Sequence, residues 1–209
     1  AQAFTRERKL AVALRSHELL TQKYGLHEED LIFDPLVFPC ATGDENYVGS
    51  PAETVEGIRL IKKHLPLCKT VLGISNVSFG LPASAREVVN SVFLYHCTKA
   101  GLDLAIVNSE KIERFADISD LERNLAEKLL FDHDPVANKI NIATIAEHFR
   151  QNSRTPSTKA TCDLPIDERL SQYIVHGSKD GLLTDLTEKL KSGTKPLDII
   201  NGPLMAGMD

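Results

Sequence analysis

The sequence predicts an α/β fold made of the later βα units of a (β/α)8 barrel, followed by an all-helical segment. Three short apolar runs alternate with amphipathic helical patterns in the order α-βα-βα-β, and the strands then stop. This alternation is typical of a parallel sheet. Because three parallel strands make neither a closed barrel nor a well-covered open sheet, we expect further strands to complete this one.

The first helix is predicted over residues 5–24, and Gly25 ends it. Its inner stripe recurs at steps of three and four residues: Leu10, Leu14, His17, Leu20 and Tyr24. The first strand follows at residues 31–34, where "LIFD" ends in a carboxylate before a proline. Since Pro35 cannot donate to a strand ladder, we expect the strand to end at Asp34.

Two capping boxes predict the next two helices. Residues 50–53 (Ser-Pro-Ala-Glu) open a helix with proline at its first position, and Pro66 ends it. Residues 84–87 (Ser-Ala-Arg-Glu) open a second helix that ends at Gly101. Each of these helices leads into a strand and thus completes a βα repeat.

The second and third strands are predicted at residues 70–74 and 102–107. The third is apolar except for Asp103, which is the pattern of a strand covered on both faces. We therefore expect the sheet to be buried between layers.

The second half of the chain is predicted to be helical. Ser119 caps the first of several helices, at residues 120–131, 136–150, 166–177 and 181–191. The polar stretch at 151–163 interrupts them as a linker. This gives three parts: 1–118 as the C-terminal part of the barrel, 119–163 as helices completing the barrel plus the linker, and 164–209 as a separate helical start.

Composition narrows the class of function. The chain is 42% hydrophobic and 25% charged, which is typical of a globular protein. Its formal charge of -5, and the absence of a basic stripe with interleaved aromatics, predict no nucleic-acid partner. No apolar run approaches the roughly 18 residues needed to span a bilayer, and "AQAFTRERKL" lacks a signal-peptide core. We expect no membrane partner and a cytoplasmic location.

Polar residues follow each predicted strand: Asp34, Asn76 and Asn108. Ligands of parallel α/β domains bind at these strand ends. The carboxylate of Asp34 offers two coplanar acceptors, which suit a planar N–H and NH2 edge such as that of a pterin or guanine. Asn76 can donate or accept by turning its amide, so it suits a nitrogen whose protonation changes. A helix-capping acid and a turn-forming amide are equally good interpretations of these two residues.

The sequence offers weaker evidence for a metal site or a catalytic nucleophile than for a ligand site at the strand ends. Four cysteines lie far apart in the sequence: Cys40, Cys68, Cys97 and Cys162. No histidine stands at ligand spacing, which disfavours zinc and disulfides and favours reduced packing residues. His133 in "FDHDP" suits a solvated turn better than a metal site, and His17 and His96 fall within helices. The sequence contains no Gly-x-Gly-x-x-Gly, Walker or Gly-x-Ser-x-Gly motif.

Several stretches together resemble the later strands of the pterin-binding TIM-type barrel of cobalamin-dependent methionine synthases. These are "DLIFDPLVFPCATG", "VLGISNVSFGLP", "REVVNSVFLYH" and "GLDLAIVN". The resemblance continues through "DERLSQYIVHG" and "PLDIINGPLMAGM", which are similar to the family's stretch leading into the helical cap of the cobalamin module. It covers nearly the whole chain, from just after the family's fifth strand to the opening of that cap, and residues 164–209 then correspond to the start of the cap.

The resemblance implies a methyltransferase of methionine synthesis. Family members transfer methyl from 5-methyltetrahydrofolate to cob(I)alamin and then to homocysteine, and only the first half reaction concerns this segment. Asp34 matches the Asp that binds the pterin, and Asn76 matches the Asn that reaches N5. Arg86 matches a family Arg at the folate site, although a surface arginine of a helical first turn fits equally well, and Asn108 is a pocket-lining candidate.

Two alternatives remain open from the sequence. One is a methyltetrahydrofolate methyltransferase that delivers to a separate corrinoid protein, although the cap-like tail favours methionine synthase. The other is an incomplete, inactive fragment that acts only as an interaction module through its open strand edge. For methionine synthase and for the corrinoid-protein methyltransferase alike, the expected partners are folate and a cobalamin-binding module in cis or in trans. Cobalamin is then bound mainly by that module.

Overall fold

The computed structural model describes residues 3–151, 164–176 and 181–207. The chain divides into two compact units, residues 1–153 and residues 154–209. Nearly all of the predicted linker at 151–163 lies outside the described residues. None of the helices in the described ranges combines the length and hydropathy needed to cross a bilayer.

The first unit contains a small parallel sheet and five α-helices. Its elements are α1 (Arg6–Glu18), β1 (Ile32–Phe33), α2 (Ser50–His64), β2 (Lys69–Gly73), α3 (Ala83–Ala100), β3 (Leu104–Ile106), α4 (Asp120–Phe131) and α5 (Pro135–Gln151). The sheet has the order β1-β2-β3, with both pairs parallel. The predicted alternation of strands and helices is therefore confirmed, and the closed barrel stays a prediction.

The core of this unit joins β2 to the helices α2 to α5. Its fully buried side chains come from all five elements: Ile58, Leu72, Val89, Phe93, Leu129 and Ile145. A smaller apolar cluster joins α1 to the end of α2 and the turn before β2, and it contains Ala13, Leu31, Ile61, Leu65 and Cys68. Strand β2 is the central strand of the sheet. The larger cluster packs around β2 and the residues after it, and the smaller cluster contains Cys68 just before it, so both ends of β2 are anchored by buried side chains.

Both predicted capping boxes are wrong, and the predicted cap at Ser119 is confirmed. Helix α2 already begins at Ser50, and its N-cap is Gly49, whose φ of 73° is left-handed. Helix α3 has Pro82 as its N-cap, so Ser84 lies inside the first turn. Neither of these N-caps makes a side-chain hydrogen bond. The side chain of Ser119 does accept a hydrogen bond from a backbone N–H three residues on.

The inner face of α1 also differs from the prediction. The buried residues of this helix are Lys9 and Ala13, whereas Leu14 and Tyr24 of the predicted stripe are exposed. The α-helix ends at Glu18 and continues as a π-helical turn to Lys23. The small side chain of Ala13 and the thin alkyl chain of Lys9 allow α1 to approach α2 closely, which larger residues would prevent.

The expectation that the third strand is covered on both faces is wrong for the described residues. All three residues of β3 are exposed, with Leu104 at 48% and Ile106 at 68%. Ile32 in β1 is 54% exposed. The composition of these strands is that of buried strands, so their apolar side chains lie on a surface suited to further packing.

The second unit is helical. It contains α6 (Ile166–His176), α7 (Leu182–Lys191) and α8 (Pro196–Ile199), followed by a π-helical turn from Ile200 to Leu204. The predicted helices at 120–131, 136–150, 166–177 and 181–191 are thus confirmed to within one residue over the described range. Leu170 and Ile199 are buried within this unit.

Candidate functional site

The carboxyl ends of the three strands meet along one edge of the sheet. Asp34 directly follows β1, Asn76 lies three residues after β2, and Asn108 lies two residues after β3. Because both strand pairs are parallel, these residues share the same edge. The side chains of all three are exposed. The strand-end prediction therefore locates them correctly in the fold.

The carboxylate of Asp34 is held by its own turn. Its Oδ1 accepts a hydrogen bond of 2.9 Å from the backbone N–H of Leu36. Leu36 has a φ of 67°, a left-handed conformation that is costly for a branched side chain. Asp34 also lines a recess of about 130 Å³ together with Lys9. The turn therefore fixes one carboxylate oxygen and leaves the side chain at the surface.

Asn76 ties the second strand end to this turn. It lies in a 3₁₀ segment, Ile74–Ser78, and its Nδ2 donates a 2.6 Å hydrogen bond to the carbonyl of Val37. One residue later, the carbonyl of Val77 accepts a 3.1 Å hydrogen bond from the backbone N–H of Cys40. The loops that follow β1 and β2 are thus joined to each other, and the Val37 bond requires the Asn76 amide to direct its nitrogen inward.

Lys9 and Thr54 hold the same turn from the helices. The Nζ of Lys9 donates to the carbonyls of Pro35 at 2.6 Å and Leu36 at 3.1 Å. The hydroxyl of Thr54 donates to the Leu36 carbonyl at 3.0 Å. Lys9 is only 3% exposed, and burial lowers the pKa of its ammonium to about 8, although the charge of Asp34 acts in the opposite direction.

Sequence reasoning missed both Lys9 and Thr54. Lysine usually lies on the surface of a helix, and the carbonyls that bind it are 26 and 27 residues away in the sequence. Backbone carbonyls carry no residue identity, so no motif could have shown these bonds. Only the position of Lys9 four residues before the small Ala13, on one helix face, gave a signal.

Arg86 supports the segment that carries Asn76. Its Nη2 donates to the carbonyl of Ser75 at 3.1 Å, and its Nε donates to the hydroxyl of Ser78 at 3.2 Å. The hydroxyl of Ser78 in turn donates to the Ser75 carbonyl at 3.2 Å. The guanidinium thus braces the 3₁₀ segment on both sides of Asn76. Arg86 is therefore not a free surface arginine, and its role at the folate site stays a prediction.

Asn108 and Arg86 line one cleft of about 200 Å³. The Oδ1 of Asn108 accepts a hydrogen bond of 3.1 Å from the backbone N–H of Glu110, so this side chain caps a short 3₁₀ turn. Asn90, whose Oδ1 is buried without a partner among the described residues, and Lys111 line the same cleft. Neither Asp34 nor Asn76 lines it. The structure therefore brings the four candidates to one edge but into separate parts of it.

Comparison with known proteins gives a family for this arrangement. The family model described as pterin binding enzyme matches residues 1–108, which is more than half of the 209 residues. The chain belongs to the pterin-binding enzyme family. All four strand-edge candidates lie within this match, and Asn108 is its last residue. A second model, described as a B12 binding domain, matches residues 166–209.

Two curated relatives of this chain are mycobacterial methionine synthases. The chain is 39% identical over 212 residues to methionine synthase of Mycobacterium tuberculosis (strain ATCC 25618 / H37Rv). It is 40% identical over 217 residues to methionine synthase of Mycobacterium leprae (strain TN). Each alignment covers 99% of this chain but only 18% and 17%, respectively, of the relatives. The predicted resemblance to methionine synthases is therefore confirmed, and the chain spans less than one fifth of their length.

Proposed function

We propose that this chain provides part of a 5-methyltetrahydrofolate site and supports transfer of the N5 methyl group to cob(I)alamin, as a step in methionine synthesis from homocysteine. The observation that carries the proposal is the pairing of Asp34 and Asn76 at one sheet edge. They are connected through the turn at residues 34–37 by the 2.6 Å bond from Asn76 to Val37. We infer that a planar bicyclic ring bound at this edge contacts both side chains.

In this proposal Asp34 binds the pterin ring. Its Oδ1 is fixed by the Leu36 N–H, and its Oδ2 accepts no hydrogen bond from the described residues. A carboxylate held in this way presents acceptors in one plane, and the N–H and NH2 groups of a pterin edge are complementary donors. Since Lys9 and Thr54 hold the Leu36 carbonyl, they position the carboxylate without contacting the ligand.

Asn76 acts at the reacting nitrogen. N5 of the substrate is a tertiary amine and leaves poorly unless it is protonated as the methyl group departs. With its Nδ2 engaged by Val37, Asn76 presents Oδ1 as an acceptor for a protonated N5. The amide does not titrate near neutral pH, so the proton arrives from solvent and Asn76 orients and stabilises it. The N5–CH3 bond then breaks with its electron pair remaining on N5.

Cobalamin in its reduced state supplies the nucleophile that accepts the methyl group. The match of residues 166–209 to a B12 binding domain supports a role for this segment beside that cofactor. The second unit exposes apolar side chains, including Leu183 at 77% and Leu197 at 67%, which suit contact with an apolar cofactor face or another module. We propose that cobalamin is bound mainly by a module in cis or in trans.

A binding titration tests the folate part of this proposal. We expect 5-methyltetrahydrofolate to bind the protein and Asp34→Asn to weaken it by about tenfold, since a charged acceptor is lost. Asp117→Asn is the matched control, because Asp117 is also exposed and lies in the segment just before α4 rather than directly after a strand. Equal dissociation constants for Asp34→Asn and the parent protein would remove Asp34 from the site.

The exposed strands support one alternative, in which this chain acts only as an interaction module. Ile32, Leu104 and Ile106 present apolar surface on a sheet of only three strands. Sedimentation at several concentrations, run beside the titration, separates the two functions. Concentration-dependent association without folate binding would favour the interaction module, whereas binding by the monomer would favour the folate site.

A further inference from the structure

Three side chains with metal-binding atoms meet at the opposite end of the sheet from the candidate folate site. His17 lies near the end of α1, Glu28 lies in the short turn before β1, and Cys68 directly precedes β2. Their ligand atoms all lie within 4.8 Å of one another. No other such group of three occurs among the described residues. The sequence positions 17, 28 and 68 match no metal-binding motif, which explains why spacing alone disfavoured zinc.

The Nε2 atom of His17 is the most informative atom of this group. It is buried and has no hydrogen-bond partner among the described residues. The nearest acidic atom is Oε2 of Glu28 at 3.4 Å, which is longer than a normal N–H···O hydrogen bond. A buried nitrogen without a partner is costly and requires an explanation such as an ion.

The same separation fits two ligands of one tetrahedral metal ion. Zn²⁺ binds nitrogen and oxygen at about 2.0–2.2 Å and thiolate sulfur at about 2.3 Å, so neighbouring ligand atoms stand roughly 3.3–3.8 Å apart. His17 and Glu28 already meet this value. The ligand atoms of all three residues lie within 4.8 Å of one another, and the Glu28 side chain is 40% exposed, so a rotamer adjustment of about 1 Å completes the tetrahedral spacing.

We propose that His17, Glu28 and Cys68 form a binding site for a single borderline-soft divalent cation, with Zn²⁺ as the expected ion. The mixed nitrogen, oxygen and sulfur donors favour zinc over Mg²⁺ or Ca²⁺, which take oxygen ligands. Solvent supplies the fourth ligand, since His17 and Glu28 are only partly buried. Cys68 is fully buried in the smaller apolar cluster, so its sulfur is shielded.

Such an ion would fasten three segments at the amino ends of the strands. The nearby charges favour a cation, because Glu28 and Glu29 act on Cys68, while Lys62 donates to the Cys68 carbonyl at 2.8 Å and is paired with Asp103 at 3.0 Å. The site is a structural one, because it lies at the end of β1 and β2 away from Asp34 and Asn76. A negative result for metal binding would therefore leave the proposed folate function untouched.

Cobalt substitution tests this site directly. We expect the purified, metal-free protein to bind one Co²⁺ with a thiolate-to-cobalt absorption band, and one Zn²⁺ to displace it and raise Tm. Cys68→Ser should abolish the band, and His17→Gln should weaken binding by about tenfold or more. His64→Gln and Cys97→Ala are the matched controls, and both should retain the band.

Circular dichroism shows whether each variant is folded. The metal binding of folded variants is then compared with that of the parent protein. If Cys68→Ser does not fold, Glu28→Gln replaces it, and weaker Zn²⁺ binding by that variant is the expected result. Sub-stoichiometric binding to the folded parent protein would overturn the proposal. A cobalt spectrum that is unchanged by His17→Gln would also overturn it.

Discussion

The alkyl chain of Lys9 crosses helix α2 at Gly57, where an added Cβ would lie 2.7 Å from the Cδ of Lys9. Gly57 is buried in the middle of that helix, a position where glycine is intrinsically unfavourable. The absence of a side chain there allows Lys9 to reach the carbonyls of Pro35 and Leu36. A glycine in α2 therefore contributes to the position of the Asp34 turn.

Gly57→Ala should destabilise the protein. Alanine gains about 1 kcal/mol in helix propensity, but the new methyl group displaces a lysine chain that is anchored at its far end, at a cost of about 1–3 kcal/mol. Urea unfolding measures the net change. In a Lys9→Ala background the same substitution should be stabilising, and a double-mutant cycle gives the coupling. Stabilisation by Gly57→Ala in the parent background would contradict this packing.

Lys9→Met should change how stability depends on pH. The pKa of Lys9 is lowered to about 8 in the folded chain from an ordinary value of 10.5. Folding therefore disfavours the charged form of Lys9. The contribution of this residue to the free energy of unfolding is fully present above pH 10.5 and is lost as the pH falls through 8. The stability of the parent relative to Lys9→Met should rise by roughly 2–3 kcal/mol over this interval.

Unfolding curves recorded at intervals from pH 7 to pH 10.5 provide the measurement. Lys63→Met is the control, because Lys63 is exposed on α2. A parallel pH dependence of the parent and Lys9→Met would show that Lys9 keeps its ordinary pKa in the folded chain. The two carbonyl bonds would then stabilise its charge fully against burial.

Asn76→Ala should slow methyl transfer by about 10² or more in the complete enzyme, with a smaller effect on folate binding. The loss of the group at N5 removes stabilisation of a charge change, for which one donor or acceptor typically contributes a few kcal/mol. Single-turnover rates separate this effect from product release. Asn124→Ala, at an exposed position on helix α4, is the control. An unchanged single-turnover rate would exclude the proposed role.

Asp185→Asn should destabilise the helical unit. Both oxygens of this largely buried carboxylate accept 2.9 Å bonds from Arg169, and Oδ2 also accepts a 2.8 Å bond from Tyr173. The bonds from Arg169 lower the pKa of Asp185 below its ordinary value of 3.8. The stabilisation is therefore present above pH 3.8 and is lost as the pH falls through the lower folded value.

Thermal unfolding at several pH values measures this effect. We expect the Tm of Asp185→Asn to be several degrees lower than that of the parent at neutral pH, and the difference to shrink below pH 3.8. Asp198→Asn, at an exposed position of the same unit, should leave Tm nearly unchanged. A difference that persists in full at the lowest pH would show that the carboxylate charge is not the cause.

The strand ends were predictable because the signal for them is local. A buried run that stops at Asp34 or shortly before Asn76 can be recognised from adjacent residues, and parallel pairing brings such ends together. The N-cap residues of α2 and α3 were predicted wrongly because the same kind of local signal was ambiguous there. A serine followed three residues later by glutamate fits an N-cap and a first turn equally well, and the positive φ of Gly49 decides between them for α2.

The supporting contacts could not be predicted in this way. The bonds of Lys9 reach backbone carbonyls more than twenty residues away, and the bond of Asn76 spans 39 residues. The positions of His17, Glu28 and Cys68 become neighbours only after α1 has packed on α2. Such contacts depend on tertiary packing, for which the sequence carries no short-range pattern.

The five-residue length of β2 separates its first and last Cα atoms by roughly 13 Å. The Asn76 segment follows one end and Cys68 precedes the other, and helix α1 also joins the two ends, since His17 lies beside Cys68 and Lys9 holds the Asp34 turn. Substitutions at the two ends of this strand therefore test separate proposals: metal-dependent stability beside Cys68, and ligand binding beside Asn76.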